Sequence, residues 1–249
     1  MISLSPLDFG WCKGESYSQY MCRQVLRWED SHYGSNKENK QRNSYDCVSD
    51  SFSSSERYYG IEMFALTGPG WFLHYIESAR VRGECRLNVI EYRKDIYKMF
   101  PSTEEKLKDL EKKAKMNLNV KFYCGDVFVV LPELLKNVRR DKILFDYDGT
   151  ETLSKLLENQ NARKGFLKIA KSLKENTKIE KMWLITTFCS RSEQLISPEE
   201  IDPTLQKYFS GIFKFCSVKP AYNREVRSTI TTYSDTTPMH TSIWSINKV

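Results

Sequence analysis

The sequence has 249 residues, of which 40% are hydrophobic and 28% are charged, which is ordinary for a globular chain with one sizeable α/β domain and an appendage. No apolar run approaches the roughly 20 residues needed to cross a bilayer, and the N-terminus lacks the charged start and apolar block of a secretory signal. We therefore predict a cytoplasmic protein with no membrane partner. The net charge of +6 and the pI near 8.8 suit a polyanionic partner without proving one.

The cysteines do not form a metal-binding or disulfide pattern. Their number, seven, is not even, their spacings are wide, and no pair has the C-x-x-C form. The chain also has only three histidines. We therefore predict reduced thiols and no metal site.

The first 56 residues differ from the rest of the chain. Residues 16–30 carry apolar groups at helical spacing and predict a short amphipathic helix. Residues 31–56 are rich in serine, asparagine and charge, which predicts a linker or mobile loop. Two parts follow: an N-terminal helix with a polar mobile segment at 1–56, and the main domain at 57–249.

From residue 57 onward, strand patterns alternate with helix patterns. The predicted strands are 58–66, 85–92, 120–124, a fourth that ends in Asp146-Tyr147-Asp148, 181–188, 211–218, 225–233 and 239–246. The predicted helices are 71–82, a stretch within 95–118, 127–138, 153–175 and a short piece at 203–209. Alternation of this kind implies a parallel sheet with right-handed crossovers, and the last two strands imply an antiparallel hairpin at one edge.

Glycines and acids stand where the first three strands of this domain end. Gly68 and Gly70 make a turn through which a ligand can approach backbone amides. Glu91 ends the second strand, where a carboxylate accepts hydrogen bonds from both hydroxyls of a ribose in nucleotide-binding α/β folds. Gly125 and Asp126 follow the third strand and place a carboxylate where an adenine amino group donates. The order of these features, more than any one of them, indicates a nucleotide-like ligand.

On these motifs, the chain from residue 57 to residue 249 resembles the S-adenosylmethionine-dependent methyltransferases of class I. The four matching stretches are ALTGPGWFLHYI, LNVIEY, VKFYCGDV and ILFDYDG. The resemblance implies a Rossmann-like three-layer α/β sandwich, with a mostly parallel seven-stranded sheet and a C-terminal antiparallel hairpin. It also implies S-adenosylmethionine as the cofactor, with Gly68 and Gly70 lining it, Glu91 holding the ribose and Asp126 the adenine. The first motif departs from the family pattern, because no third glycine follows Gly70.

The fourth motif bears on the acceptor. The DYDG sequence is similar to the D-x-D-P-F-G of tRNA guanine N2-methyltransferases, which implies that Asp146 and Asp148 orient an acceptor amine or take its proton. Tyr147 either stacks on a flipped base or simply packs into the sheet. Between Arg163 and Lys181 seven residues are basic and two are acidic, which suits either a solvated helix face or a surface that meets phosphates. We predict a nucleic-acid substrate; the oligomeric state stays open.

Two other functions compete with the methyltransferase. The stretch ILFDYDGTET also resembles the first motif of haloacid-dehalogenase-type phosphatases, with Asp146 as the nucleophile, Asp148 as the acid/base and Mg²⁺ bound alongside. Lys219 and Asp235 would then supply later motifs, although three strand–helix units precede the stretch and Asp235 lies on a turn between strands. A non-catalytic binding protein on a methyltransferase fold is the third hypothesis, since the first glycine motif is irregular.

Overall fold

The computed structural model describes residues 62–66, 84–92, 94, 117–148, 152–189, 198–221, 231–232 and 238–249. Its strands are β1 (Glu62–Leu66), β2 (Glu84–Glu91), β3 (Asn117–Cys124), β4 (Lys142–Asp148), β5 (Lys181–Cys189), β6 (Cys216–Pro220), β7 (Thr231–Thr232) and β8 (Pro238–Lys248). Its helices are α1 (Val127–Leu135), α2 (Leu153–Glu158), α3 (Gln160–Glu175) and α4 (Pro198–Ile212). The predicted helices at 16–30, 71–82 and within 95–118, the polar segment 31–56, and the residues Gly68, Gly70 and Asp235 lie outside the described residues.

The single helix predicted for 153–175 is two helices, α2 and α3, which meet at Asn159. The backbone of Asn159 is extended, and its Oδ1 accepts hydrogen bonds from the backbone N–H groups of Asn161 and Ala162. An asparagine in this role ends one helix and caps the next. The prediction missed it because the apolar spacing runs on through Asn159.

The chain after β5 also differs from the prediction. The short helical piece expected at 203–209 is a 15-residue helix, α4, in which Pro203 lies within the first two turns. The strand expected at 211–218 begins only at Cys216, because α4 continues to Ile212. Of the strand expected at 225–233, the described part is the two-residue β7.

All eight described strands belong to one sheet, in the order β3-β2-β1-β4-β5-β8-β6, with β7 paired to β8 alone. The first five strands pair in parallel, and their order is that of a doubly wound Rossmann sheet. The α/β, Rossmann-like fold class is therefore confirmed.

The finer prediction, a seven-stranded sheet with a hairpin at one edge, is wrong in its detail. The hairpin of β7 and β8 is only two residue pairs long, and β8 lies inside the sheet, antiparallel to both β5 and β6. A strand of 11 residues that is paired on both sides leaves few of its backbone groups unsatisfied.

The two faces of the sheet are both buried. Alternate residues of the central strands face the helix layer and form one core with α1, α3 and α4; they include Phe64, Ile90, Phe145, Leu184 and Trp244. Intervening residues point to the opposite face and are also buried; they include Leu87, Val89, Leu144, Trp183 and Ile185. The helices predicted at 71–82 and within 95–118 lie outside the described residues, so the three-layer arrangement stays a prediction.

Candidate cofactor and acceptor site

The strand order reverses between β1 and β4, which is where ligands bind in sheets of this kind. Strands β2 and β3 follow β1 toward one edge of the sheet, and β5 follows β4 toward the opposite edge. The helices that follow neighbouring strands in such a sheet diverge at the point of reversal, which opens a crevice at the carboxyl ends of the strands. The predicted acids of β2 and β4 therefore flank the crevice, one on each side of β1.

Glu91 is a buried carboxylate at the carboxyl end of β2. It is the last residue of β2 and only 4% exposed. Because Ile90 joins the core of the helix layer, the alternation of a strand turns Glu91 toward the other face, together with Val89. A carboxylate is costly to bury unless donors surround it, so this position suits a group that binds hydroxyls.

Asp126 lies next to Glu91, at the start of α1. The backbone N–H of Gly125 donates to the carbonyl oxygen of Glu91 at 2.9 Å, which joins the carboxyl ends of β2 and β3. Asp126 is exposed and caps the helix, with its Oδ1 accepting from the backbone N–H of Phe128 at 2.8 Å. The cap orients the carboxylate, and its second oxygen makes no hydrogen bond within the described part of the chain.

Gly125 allows this close junction because it has no side chain. Its φ is +157°, outside the range that other residues readily adopt. A Cβ on Gly125 would also stand 2.9 Å from Cγ2 of Val130 in α1. The sequence prediction of a glycine turn after β3 is thereby explained at the level of atoms.

Asp146 lies near the carboxyl end of β4, on the other side of β1 from Glu91. It is 7% exposed and stands in register with Ala65 of β1 and Ile185 of β5. Its neighbour Phe145 faces the helix layer, so Asp146 points to the same face of the sheet as Glu91. Two strand spacings, about 10 Å, separate β2 from β4, which leaves room for a ligand between the two carboxylates.

The backbone of Asp148 ends β4 beside Thr187 of β5. Val89 of β2 and Asp146 of β4 both stand in register with Ala65 of β1, so Glu91 and Asp148, each two residues further along, are level with each other. The carboxyl ends of β2 and β4 therefore stop at one height, as the walls of a single cleft require.

Tyr147 lies on the opposite face from Asp146. It is 6% exposed, and its ring is 5.8 Å from that of Phe128, 6.0 Å from Phe145 and 5.3 Å from Phe166, centroid to centroid. This placement favours the packing interpretation over the base-stacking one.

A polar cluster beside Tyr147 was not predicted. Thr186 of β5 is in register with Tyr147 and with Ser242 of β8; its hydroxyl donates to the carbonyl oxygen of Ser242 at 3.4 Å, and the Ser242 hydroxyl donates to Oδ1 of Asp202 at 2.8 Å. Both hydroxyl residues are fully buried. The only sequence signal was a hydroxyl side chain inside each of two apolar strands.

The shifted pKa values of the described residues lie away from the cleft. Burial, with the positive charge of Lys142 nearby, lowers the pKa of Lys181 at the start of β5, where its Nζ stands 4.2 Å from the ring centroid of Trp183. Burial raises the pKa of Cys216 to about 11. Both residues begin strands that run parallel to β4, so they stand at the edge of the sheet opposite the cleft and take no part in its chemistry.

The strand order defines a Rossmann-like α/β architecture. No protein-family model matches the sequence, and no curated protein gives a significant match. Among solved structures, the chain is similar to an S-adenosylmethionine-dependent methyltransferase from Aquifex aeolicus, with 14% identity, a TM-score of 0.43, and coverage of 90% of this chain and 98% of that one.

It is also similar to two further methyltransferase structures. One is a precorrin-6y C5,15-methyltransferase from Geobacter metallireducens, with 12% identity, a TM-score of 0.40, and coverage of 84% of this chain and 87% of that one. The other is a putative O-methyltransferase from Klebsiella pneumoniae, with 9% identity, a TM-score of 0.45, and coverage of 94% and 91%. At TM-scores this low, the fold class rests on the strand order of this chain rather than on the neighbours.

No helix in the described ranges is both long and apolar enough to span a membrane.

Proposed function

We propose that this protein is an S-adenosylmethionine-dependent methyltransferase that modifies an amine of a nucleic acid. The observation that carries the proposal is the position of two buried carboxylates. Glu91 and Asp146 lie on strands on the two sides of β1, where the strand order reverses. The strands that carry these motifs are neighbours in the sheet, in the order β3-β2-β1-β4, and the acids at their ends suit an adenosine: a buried acid for a diol, and a capped, exposed acid beside it for an amino group.

Each acid has a distinct role in this proposal. Glu91 accepts hydrogen bonds from the two ribose hydroxyls, and Asp126 accepts one from the adenine amino group through the oxygen that the helix cap leaves over. Gly68 and Gly70 line the cofactor. The bound cofactor supplies an electrophilic methyl group, and catalysis by the chain consists mainly of positioning and desolvation.

Asp146 and Asp148 act on the acceptor. Asp146 is buried on the cleft face of β4, where it holds the amine in line and accepts its proton after transfer. Burial favours this role, because removal of water strengthens the hydrogen bond between carboxylate and amine.

The proposal is tested first by calorimetry with S-adenosylmethionine and S-adenosylhomocysteine. Glu91→Gln should weaken both ligands about 10- to 100-fold, since hydrogen bonds to a charged group contribute about 1.5–3 kcal/mol. Glu133→Gln is the matched control, because Glu133 is an exposed glutamate that pairs with Lys136 at 2.7 Å on α1; it should leave affinity unchanged. Equal affinity of the Glu91 variant and the wild type contradicts the ribose role.

Asp146→Asn separates the chemical role from a structural one. It should abolish transfer of a tritiated methyl group to duplex DNA or total RNA, while leaving cofactor affinity within about threefold of wild type. Loss of transfer and of binding together would mean that Asp146 is structural. If neither ligand binds and a phosphate monoester is hydrolysed with Mg²⁺, the phosphatase hypothesis replaces this one; if no activity of either kind is found and no ligand binds, the non-catalytic hypothesis does.

A further inference from the structure

The exposed face of α3 carries a line of cations that the cleft does not use. Its members are Arg163, Lys164, Lys168, Lys171 and Lys174, all exposed, and together they are called the basic stripe here. At 100° per residue they fall within about 140° of the helix circumference, and they extend about 16 Å along its axis. The opposite face of α3 is built into the core through Phe166, Ile169 and Leu173, so the stripe faces outward.

Most of the charge on the basic stripe is available to a ligand. Lys171 stands 3.8 Å from Glu175, an exposed pair worth little, and Lys174 lies 5.8 Å from the ring centroid of Phe215. Within the described part of the chain, Arg163, Lys164 and Lys168 have no acidic partner within 4.0 Å. Unneutralised cations at this density repel one another, and a polyanion relieves that repulsion.

One end of the stripe lies at the edge of the sheet where the parallel strands end. α3 follows β4 after only residues 149–159, and a right-handed crossover runs its helix antiparallel to the strands. Arg163 and Lys164 are therefore at the edge of the molecule where β4 ends in Asp148, and Lys174 is at the far edge. A ligand lying along the stripe therefore has one end at the edge of the sheet where β4 ends, on the opposite face of the sheet from Asp146.

We infer that the basic stripe is the surface on which the phosphate backbone of a nucleic acid docks. A duplex carries one charge per about 1.7 Å of its axis, so a 16 Å stripe faces enough phosphates to engage all five cations. A membrane is a poorer fit, because helices that lie in the lipid interface expose a broad apolar face. On α3 the exposed large apolar side chain is Leu167, at 44%. This inference names the partner of the proposed methyltransferase and rests on it for the biological role, but docking itself is independent of the cofactor.

Salt dependence of binding tests the inference. Fluorescence anisotropy with a labelled duplex DNA and a labelled RNA hairpin, without cofactor, should show affinity that falls with salt with a logarithmic slope of about −4 to −5 on duplex, from five contacts at about 0.9 each. The triple variant Lys164→Gln, Lys168→Gln, Lys171→Gln should flatten that slope by about 2 to 3 and weaken binding about 100-fold near 0.1 M salt.

A second triple variant controls for net charge. Lys121→Gln, Lys207→Gln, Lys214→Gln changes the charge equally at three exposed lysines on β3, on α4 and after α4, and it should change the slope by less than about 1. Far-ultraviolet circular dichroism and the thermal midpoint of both variants should match those of the wild type, since every replaced side chain is exposed.

Three results would overturn the inference. They are absence of nucleic-acid binding by the wild type, equal loss in the two triple variants, and equal or tighter binding to poly-glutamate or to phosphatidylserine vesicles. Calorimetry with S-adenosylhomocysteine on the stripe variant keeps the outcomes apart. If the stripe variant loses docking but binds the cofactor normally, the result supports docking on the stripe and leaves the methyltransferase proposal intact. A wild type that docks nucleic acid but does not bind the cofactor contradicts the methyltransferase proposal alone.

Discussion

In β4, alternate side chains point to opposite faces of the sheet, so the residues that pack are separated from the residue proposed for chemistry. Phe145 and Tyr147 point into the helix layer, while Asp146 points to the cleft face. A shift of one residue in register would bury the tyrosine ring on the cleft side and drive a carboxylate into an aromatic core. The aromatic contacts of Tyr147 therefore fix the position of Asp146 without touching it.

Cys216 gives a residue-scale prediction of pH dependence. Burial raises the pKa of its thiol from the ordinary 9.0 to about 11, although Lys248 nearby acts in the opposite direction. The unfolded thiol ionises from about pH 9 and the folded one only near 11, so the stabilisation is complete below pH 9 and is lost as the pH rises through this interval.

The measurement is the thermal midpoint between pH 8 and pH 10.5. Wild type should lose more stability over this interval than Cys216→Ser, which lacks the titrating group. Lys181, whose lowered pKa favours stability at higher pH, is common to both proteins and cancels in the difference. Parallel pH profiles would contradict the assignment to Cys216.

Among the elements, the contact of α1 with α3 sets the height of the helix layer over the sheet. Gly165 lies against the ring of Phe128 so closely that a Cβ would overlap it, and Phe128 in turn contacts Tyr147 and Phe166. At the other end of α3, Nδ2 of Asn176 donates to the carbonyl oxygens of Leu135 at 2.6 Å and of Val138 at 2.9 Å. The two helices are thus fixed at both ends of their contact.

Two glycine substitutions test this packing against helix propensity. Gly165→Ala should lower the free energy of unfolding by about 1–3 kcal/mol or more, because the new methyl group displaces Phe128 in a filled core. Gly211→Ala in α4 is the matched control, since nothing lies within 4 Å of its Cβ position; it should raise stability by up to about 1 kcal/mol. Urea unfolding measures both, and similar signs for the two variants would refute the packing argument.

At the scale of the whole molecule, the strand β8 holds one edge of the sheet to its centre. β8 lies between β5 and β6, and its Trp244 is fully buried, with its ring centroid 5.9 Å from that of Phe209 in α4. β6 is attached to the sheet through β8 alone, among the strands described. A strand far along the chain therefore connects the edge of the sheet to its centre.

Hydrogen exchange followed by mass spectrometry should register this topology. Backbone amides of residues 242–246 in β8 should exchange about as slowly as those of the central strand β4, and more slowly than those of residues 119–123 in the edge strand β3. The reason is that exchange from a strand paired on both sides requires opening of the sheet core. Rapid exchange of β8, as expected for a fraying last strand, would contradict its interior position.

The sequence by itself determined the alternation of strands and helices, the ends of β2 and β4, and the acids that stand there. Period-two burial and acid-ended strands are local patterns, and Glu91 and Asp146 are found where those patterns put them. The α/β, Rossmann-like class followed from the same information, because alternating elements admit few topologies.

Only the tertiary structure decided the rest. The break at Asn159 depends on a single side-chain cap, and the interior position of β8 depends on pairing between residues 50 to 66 positions apart in sequence, which no local pattern encodes. The structure also decided that Tyr147 packs and that the basic stripe faces outward, because which face of a strand or helix is buried depends on what the neighbouring elements cover.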